Sequence, residues 1–168
     1  MRAVVREIAA ALHAHRISKI LFLNSHGGNR VPLASAIQEL GEAFPTLQAV
    51  GATYWELARD ELSAVRESAF GGMGHAGELE TSIMLSIVPA IVNMSKAEPD
   101  GIMSESQFGR HEMLSVPMVS TYRTMKQITH HGGYGDPSTA SAQKGERMLD
   151  VITQRLVALC ADVLEGRL

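Results

Sequence analysis

Three short stretches hold residues whose types and spacing suit metal binding and proton transfer. Asn24-Ser25-His26-Gly27-Gly28-Asn29 sets one imidazole between a serine and two glycines, which let the backbone turn tightly and leave the ring open to a metal or a substrate. Tyr54-Trp55 follows the second of two apolar runs and is expected on the same rim. His75-Ala76-Gly77-Glu78-Leu79-Glu80-Thr81-Ser82 enters a predicted helix. If that helix has begun by His75, His75 and Glu78 share a face, and Glu78 and Ser82 lie one turn apart. A His and a carboxylate at such spacing suit a hard or borderline divalent metal, with a second imidazole left for proton transfer. Each stretch also has a plainer reading. His-Gly-Gly can be a turn, Glu78 and Glu80 can serve a helix dipole, and Trp55 can anchor a core. Their expected convergence on one sheet edge favours the chemical reading.

The elements that would position these residues follow from the hydrophobic pattern. Val5, Ile8, Ala9 and Leu12 recur at helical steps, with no capping residue before them. Ile20-Leu21-Phe22-Leu23 reads as a buried parallel strand running into the Gly-rich turn. Leu33, Ala36, Ile37 and Leu40 form a helical stripe that Gly41 would stop, and a second strand is expected over Leu47–Thr53. This strand–helix–strand unit implies a right-handed crossover and an α/β fold with a mostly parallel sheet, whose ligands bind beyond the strands' carboxyl ends. Tyr54–Glu67 and Leu79–Val88 read as helices, the second closed by Pro89. Residues 97–135 have no regular pattern. Asp136-Pro137-Ser138 starts a last helix that packs through Met148, Ile152, Leu156, Leu159 and Val163, with Cys160 beside that stripe. His130 and His131 are read as loop residues whose rings point apart, and His13, His15 and His111 as surface or helix residues.

Composition narrows the function classes. The chain has 168 residues, 45% hydrophobic and 20% charged, which suits a single domain over 1–168 with a buried core. A net charge of −3 provides no basic stripe for nucleic acid. No apolar run approaches the ~20 residues that cross a bilayer, and the expected compartment is the cytoplasm. The single cysteine forms no internal disulfide and argues against a cysteine metal site, so His and carboxylates must hold any metal. Gly-x-Ser-x-Gly, Gly-x-x-x-x-Gly-Lys-Ser/Thr and Gly-x-Gly-x-x-Gly do not occur, which removes a serine-esterase elbow and the common nucleotide-binding loops.

Taken in order, Asn24–Asn29, Tyr54-Trp55, Gly74–Ser82, Gly135-Asp136-Pro137 and Lys144-Gly145-Glu146 resemble the creatininase family, the creatinine amidohydrolases. The resemblance implies a three-layer α/β fold around a mostly parallel sheet, here without the family's amino-terminal strands. It also implies a binuclear zinc or manganese centre that hydrolyses a small, often cyclic, amide such as creatinine or a formamide. The homo-oligomer it implies is a hexamer in creatininase itself. On the matching positions, His26 is the expected metal ligand, with Ser25 in place of the usual Gly. Gly28 stands where creatininase has a ligating Glu, and Glu78 is the expected substitute. His75 is the expected catalytic His and Trp55 the pocket-shaping residue, with Asn24, Asn29 and Glu80 orienting their neighbours. The family's Glu-x-His-Gly block with its following Asp has no counterpart in Met1–Arg16. This points to a truncated, impaired enzyme or, alternatively, to a non-catalytic oligomeric subunit or binding module.

Overall fold

A computed structural model describes residues 1–101 and 103–168. The chain gathers into two compact units, Met1–Leu57 with Thr153–Leu168, and Ala58–Ile152.

In the first unit, helix α1 (Arg2–Ala14) precedes strand β1 (Lys19–Asn24), helix α2 (Arg30–Ala43) and strand β2 (Gln48–Thr53). The strands pair in parallel, from Lys19 with Gln48 to Asn24 with Thr53, as the α/β reading requires. Val5, Ala9, Ile20, Leu33, Ala36, Leu40 and Leu47 form one buried cluster, so the stripes of α1 and α2 close over the apolar strand. Gly41 does not stop α2. The helix continues to Ala43 and ends at Phe44, whose amide donates to the Leu40 carbonyl and whose extended backbone precedes Pro45. Lys19 Nζ donates to the carbonyls of Val163 and Leu164 near the chain end, which caps the last helix with a cation.

The expected helix over 54–67 is two, α3 (Tyr54–Leu57) and α4 (Arg59–Val65). Ala58 breaks the run, and the acidic pair Asp60 and Glu61 starts the second helix. The Leu57 carbonyl accepts from Arg155 Nε at 2.9 Å.

The second unit contains α4, α5 (Glu78–Ile87), the short α6 (Met125–Ile128) and the first part of α7 (Ala142–Glu165). Ala58, Leu62, Val65, Met73, Leu79, Leu114, Met148 and Ile152 are its buried apolar residues. The described residues of 97–135 are irregular, as the pattern predicts, apart from α6, one 3-10 turn and an antiparallel bridge from Asp100 to Gly135. Asp136-Pro137-Ser138 starts only a 3-10 turn over Pro137–Thr139, with the Asp136 carboxylate accepting from the Ser138 amide. Helix α7 begins beyond it, where Ser141 Oγ accepts from the Lys144 amide. Cys160 is half-buried. Among the described residues no helix is long and apolar enough to cross a membrane.

Candidate functional site

The first unit presents His26 where the sheet ends. Asn24, the last residue of β1, is buried and makes three hydrogen bonds that fix the turn. Its Nδ2 donates to Thr53 Oγ1 at 3.1 Å and to the His26 carbonyl at 3.0 Å, and its Oδ1 accepts from the His26 amide at 3.1 Å. One side chain thus ties the ends of both strands to the histidine. His26 is exposed with extended backbone, and the 3-10 turn Gly27–Asn29 follows, its Asn29 amide donating to the His26 carbonyl. A Cβ at position 28 would lie 3.1 Å from His26 Nε2, so the glycine keeps that nitrogen approachable. Trp55 is 2% exposed and meets the Tyr54 ring edge-on at 4.9 Å, which makes it a packing residue of this unit.

The second unit places His75 in a glycine-rich loop rather than on a helix. Gly77 caps α5, which begins only at Glu78, and Ala76 adopts a left-handed φ of 55°. His75 and Glu78 therefore share no helical face. The His75 ring, 62% exposed, turns to Glu80 instead, with Nδ1 at 3.4 Å from Oε2, and the same oxygen accepts from the Ala76 amide at 2.6 Å. A carboxylate only accepts, so this contact favours the proton on Nδ1 and leaves Nε2 outward. The loop is locked from behind. The Tyr134 amide donates to the His75 carbonyl at 2.7 Å, and a Cβ at Gly74 would fall 1.8 Å from the Tyr134 carbonyl oxygen.

Glu78 and Ser82 lie one turn apart as the spacing requires, and both are fully buried. The Glu78 carboxylate accepts from the amides of Glu67 and Ser68 and from Lys144 Nζ at 2.7 Å. Lys144 is itself 8% exposed and lies 3.2 Å from Glu67 Oε2. Burial alone would raise the Glu78 carboxyl, but the Lys144 ammonium and the Ser68 and Glu67 amides hold it below its ordinary value. Burial would lower the Lys144 ammonium, and the carboxylates of Glu78 and Glu67 outweigh it and raise it. Lys144 was not singled out from the spacing; the signal was a carboxylate in an apolar stripe, which needs a buried cation somewhere in the fold.

The pair His130-His131 also departs from expectation. Both rings turn to Asp100, with His130 Nδ1 at 3.0 Å from Oδ1 and His131 Nε2 at 3.5 Å from Oδ2. The rule that neighbouring side chains diverge fails because a third residue draws both rings back. Asp100 also accepts from Thr129 Oγ1 at 2.5 Å and from the amides of Gly101, His130 and His131. The Thr129 hydroxyl above all, together with His130 and the amides, holds the Asp100 carboxyl far below its usual range, burial notwithstanding.

The donor set of these residues does not fit a metal ion. Among the described residues, no group of three or more His, Cys, Asp or Glu side chains gathers at metal-holding spacing. The Glu78 carboxylate already faces an ammonium and two amides, so a cation could reach it only by displacing Lys144. His26 offers one approachable imidazole nitrogen.

Comparison with known proteins adds the lineage. The chain is 30% identical over 131 residues to the mycofactocin precursor peptide peptidase of Mycobacterium ulcerans (strain Agy99), which covers 77% of the chain and 43% of that protein. It is 24% identical over 163 residues to the creatinine amidohydrolase of Pseudomonas putida, covering 92% of the chain and 59% of that enzyme. A Bacteroides fragilis NCTC 9343 protein assigned as a creatinine amidohydrolase superposes with a TM-score of 0.79 at 28% identity, over 96% of this chain and 60% of that one. The chain thus spans about two-fifths to three-fifths of the length of these relatives. The family model for creatinine amidohydrolases matches residues 1–160, and the chain belongs to the creatininase family.

Proposed function

We propose that this chain, taken as one creatininase-like domain over 1–168, carries part of a centre that hydrolyses the C–N bond of a small amide. The observation that carries the reading is His75. Its ring is exposed, its loop is fixed by the Tyr134 amide, and Glu80 beside Nδ1 leaves Nε2 outward, where it can take a proton from the attacking water and pass it to the departing nitrogen. His26 presents a second imidazole from the turn that Asn24 and Asn29 build. The divalent zinc or manganese centre that the motif resemblance implies enters as a requirement. His26 is a donor this chain offers, and Glu78 would contribute only by releasing Lys144. Creatinine, a formamide and a peptide bond are the candidate substrates, and the reading includes a cytoplasmic homo-oligomer.

The closed Glu78–Lys144 pair favours one rival, a non-catalytic subunit that has kept the fold and given up the metal. The two part on one experiment. The purified chain, alone and supplemented with zinc or manganese, is assayed against creatinine, N-formyl amines and short peptides. Turnover that falls about 10²- to 10⁴-fold in His75→Asn supports the enzyme. Absence of turnover with every substrate, together with substoichiometric metal by elemental analysis, supports the subunit.

A further inference from the structure

The second unit contains a cleft of about 420 Å³ that none of His26, His75, Glu78 and Glu80 lines. Phe70, Met103 and Tyr134 give it apolar walls, and His130, Asp100 and Asp136 its polar ones. Phe70 is exposed at the cleft, and the His130 side chain is 77% exposed. An exposed histidine is ordinarily free to rotate and to exchange tautomers. This one is held. Its Nδ1 lies 3.0 Å from Asp100 Oδ1, and that carboxylate is fixed by Thr129 Oγ1 and by the amides of Gly101, His130 and His131. Asp100 is also anchored through its backbone, which exchanges hydrogen bonds with Gly135 in both directions. A carboxylate only accepts, so His130 Nδ1 is the donor in this contact and Nε2 is left as the ring's acceptor.

The polar groups of the cleft are therefore acceptors. Nε2 of His130 is one, and the Asp136 carboxylate, whose Oδ1 is held by the Ser138 amide and hydroxyl, is the other. The complementary ligand supplies N–H donors from a flat, partly apolar body that can lie against Phe70 and Tyr134. We propose that this cleft binds a small planar amide through its N–H group, with His130 Nε2 as the receiving atom and Asp100 as the residue that positions the ring. The choice of an amide among N–H donors rests on the amidohydrolase reading, whereas the acceptor character of the cleft does not.

Other titratable groups surround His130. Asp100 contacts it directly, His131 reaches both Asp100 and Glu98 at 3.5 Å, and Asp136 lines the same cleft.

The test uses benzamide and benzoate, each titrated into the isotope-labelled chain and followed by NMR. Benzamide is expected to shift the signals of Phe70, Tyr134 and His130. Its affinity should fall about 3- to 10-fold in His130→Ala, the worth of one hydrogen bond. Benzoate is expected to leave these signals unmoved at neutral pH. The ring is largely in solvent, so His130→Ala should fold normally, and Asp100→Asn serves as the second variant, read by loss of the Nδ1-protonated form in the His130 ring ¹⁵N spectrum. Equal benzamide affinity in wild type and His130→Ala, equal binding of benzoate, or shifts confined to residues outside the cleft would each overturn the proposal. Benzamide seated in the cleft of a chain that hydrolyses no amide would refute the amidohydrolase reading and leave the site standing. An active chain that seats benzamide elsewhere would do the reverse.

Discussion

Replacing Lys144 by Met should cost more stability than any other single change at a charged residue in the second unit. The ammonium is 8% exposed and meets a carboxylate with no exposure at all, at 2.7 Å. Methionine fills a similar volume but leaves Glu78 with only the Glu67 and Ser68 amides for its buried charge. Stranding one member of a buried pair costs about 3–5 kcal/mol, against a total of about 5–15 kcal/mol for an ordinary domain. In a chain of this size that is a fall of roughly 10 °C in Tm. Equilibrium unfolding in urea, monitored by circular dichroism, measures it. Glu78→Gln/Lys144→Met should recover much of the loss, because the stranded charge is gone. The pH profile carries the same signature. Glu78 titrates below its ordinary 4.5 in the folded chain, so its contribution is present above that value and is lost as pH falls through the folded one. Lys144 titrates above its ordinary 10.5, so its contribution is present below that value and is lost as pH rises through the folded one. Stability should therefore be flat between these limits and decline at both ends. Lys144→Met should abolish the alkaline decline and shrink or reverse the acid one, because protonation then relieves the stranded Glu78 carboxylate. A loss under 1 kcal/mol with an unchanged profile would refute the reasoning.

Trp55 is the only tryptophan, so its fluorescence reports on its burial. Its emission should be blue-shifted and resistant to acrylamide quenching, and Trp55→Ala should cost about 3–5 kcal/mol in a urea titration. A red-shifted, readily quenched signal would contradict the packing described for the first unit. Asn24→Val should cost about 1–3 kcal/mol, since it strands the Thr53 hydroxyl and frees the His26 turn, and it should raise hydrogen exchange at the His26 amide. Unaltered exchange there would show that the turn holds without Asn24.

The parts of this fold that were legible in the sequence are those decided by neighbours a few residues away. The run Ile20–Leu23 and the stripe Leu33, Ala36, Leu40 needed only hydrophobic periodicity, and β1 and β2 lie within one residue of their expected ends. Gly41 misled because a glycine inside a helix costs only about 1 kcal/mol, which burial of Leu40 outweighs; the Phe44-Pro45 step was the stronger stop. The site was less legible. His75 and Glu78 could be placed side by side only by continuing a helix through Gly77, and Ala76 in a left-handed conformation makes that impossible. The partners of Glu78 and of the His130-His131 pair come from Lys144 and Asp100, far along the chain. Helical periodicity and local turn chemistry contain no information about contacts of that range.

The geometry also explains why glycines crowd the two stretches that matter in the second unit. The loop bearing His75 and the segment leading to α7 meet backbone to backbone. The Gly72 carbonyl accepts from the amides of both Glu78 and Asp136, the His75 carbonyl accepts from Tyr134, and Gly74 has no room for a side chain against the Tyr134 carbonyl. Each stretch is therefore the other's template. Asp100 holds the second through Thr129, His130 and His131, while Glu78 and Lys144 pin the first to the start of α7. An exposed histidine on a short loop would otherwise sample many orientations, and a proton-transfer group loses rate when it must find its geometry anew in each encounter. The two buried carboxylates hold the loops from behind, so the rings of His75 and His130 can be solvent-exposed and still oriented. It follows that weakening either carboxylate should loosen both loops together, and that Asp100→Asn should raise hydrogen exchange at the Tyr134 amide, which faces the His75 carbonyl, as well as at the His130 and His131 amides. Exchange confined to the latter two would mean that the loops are held independently.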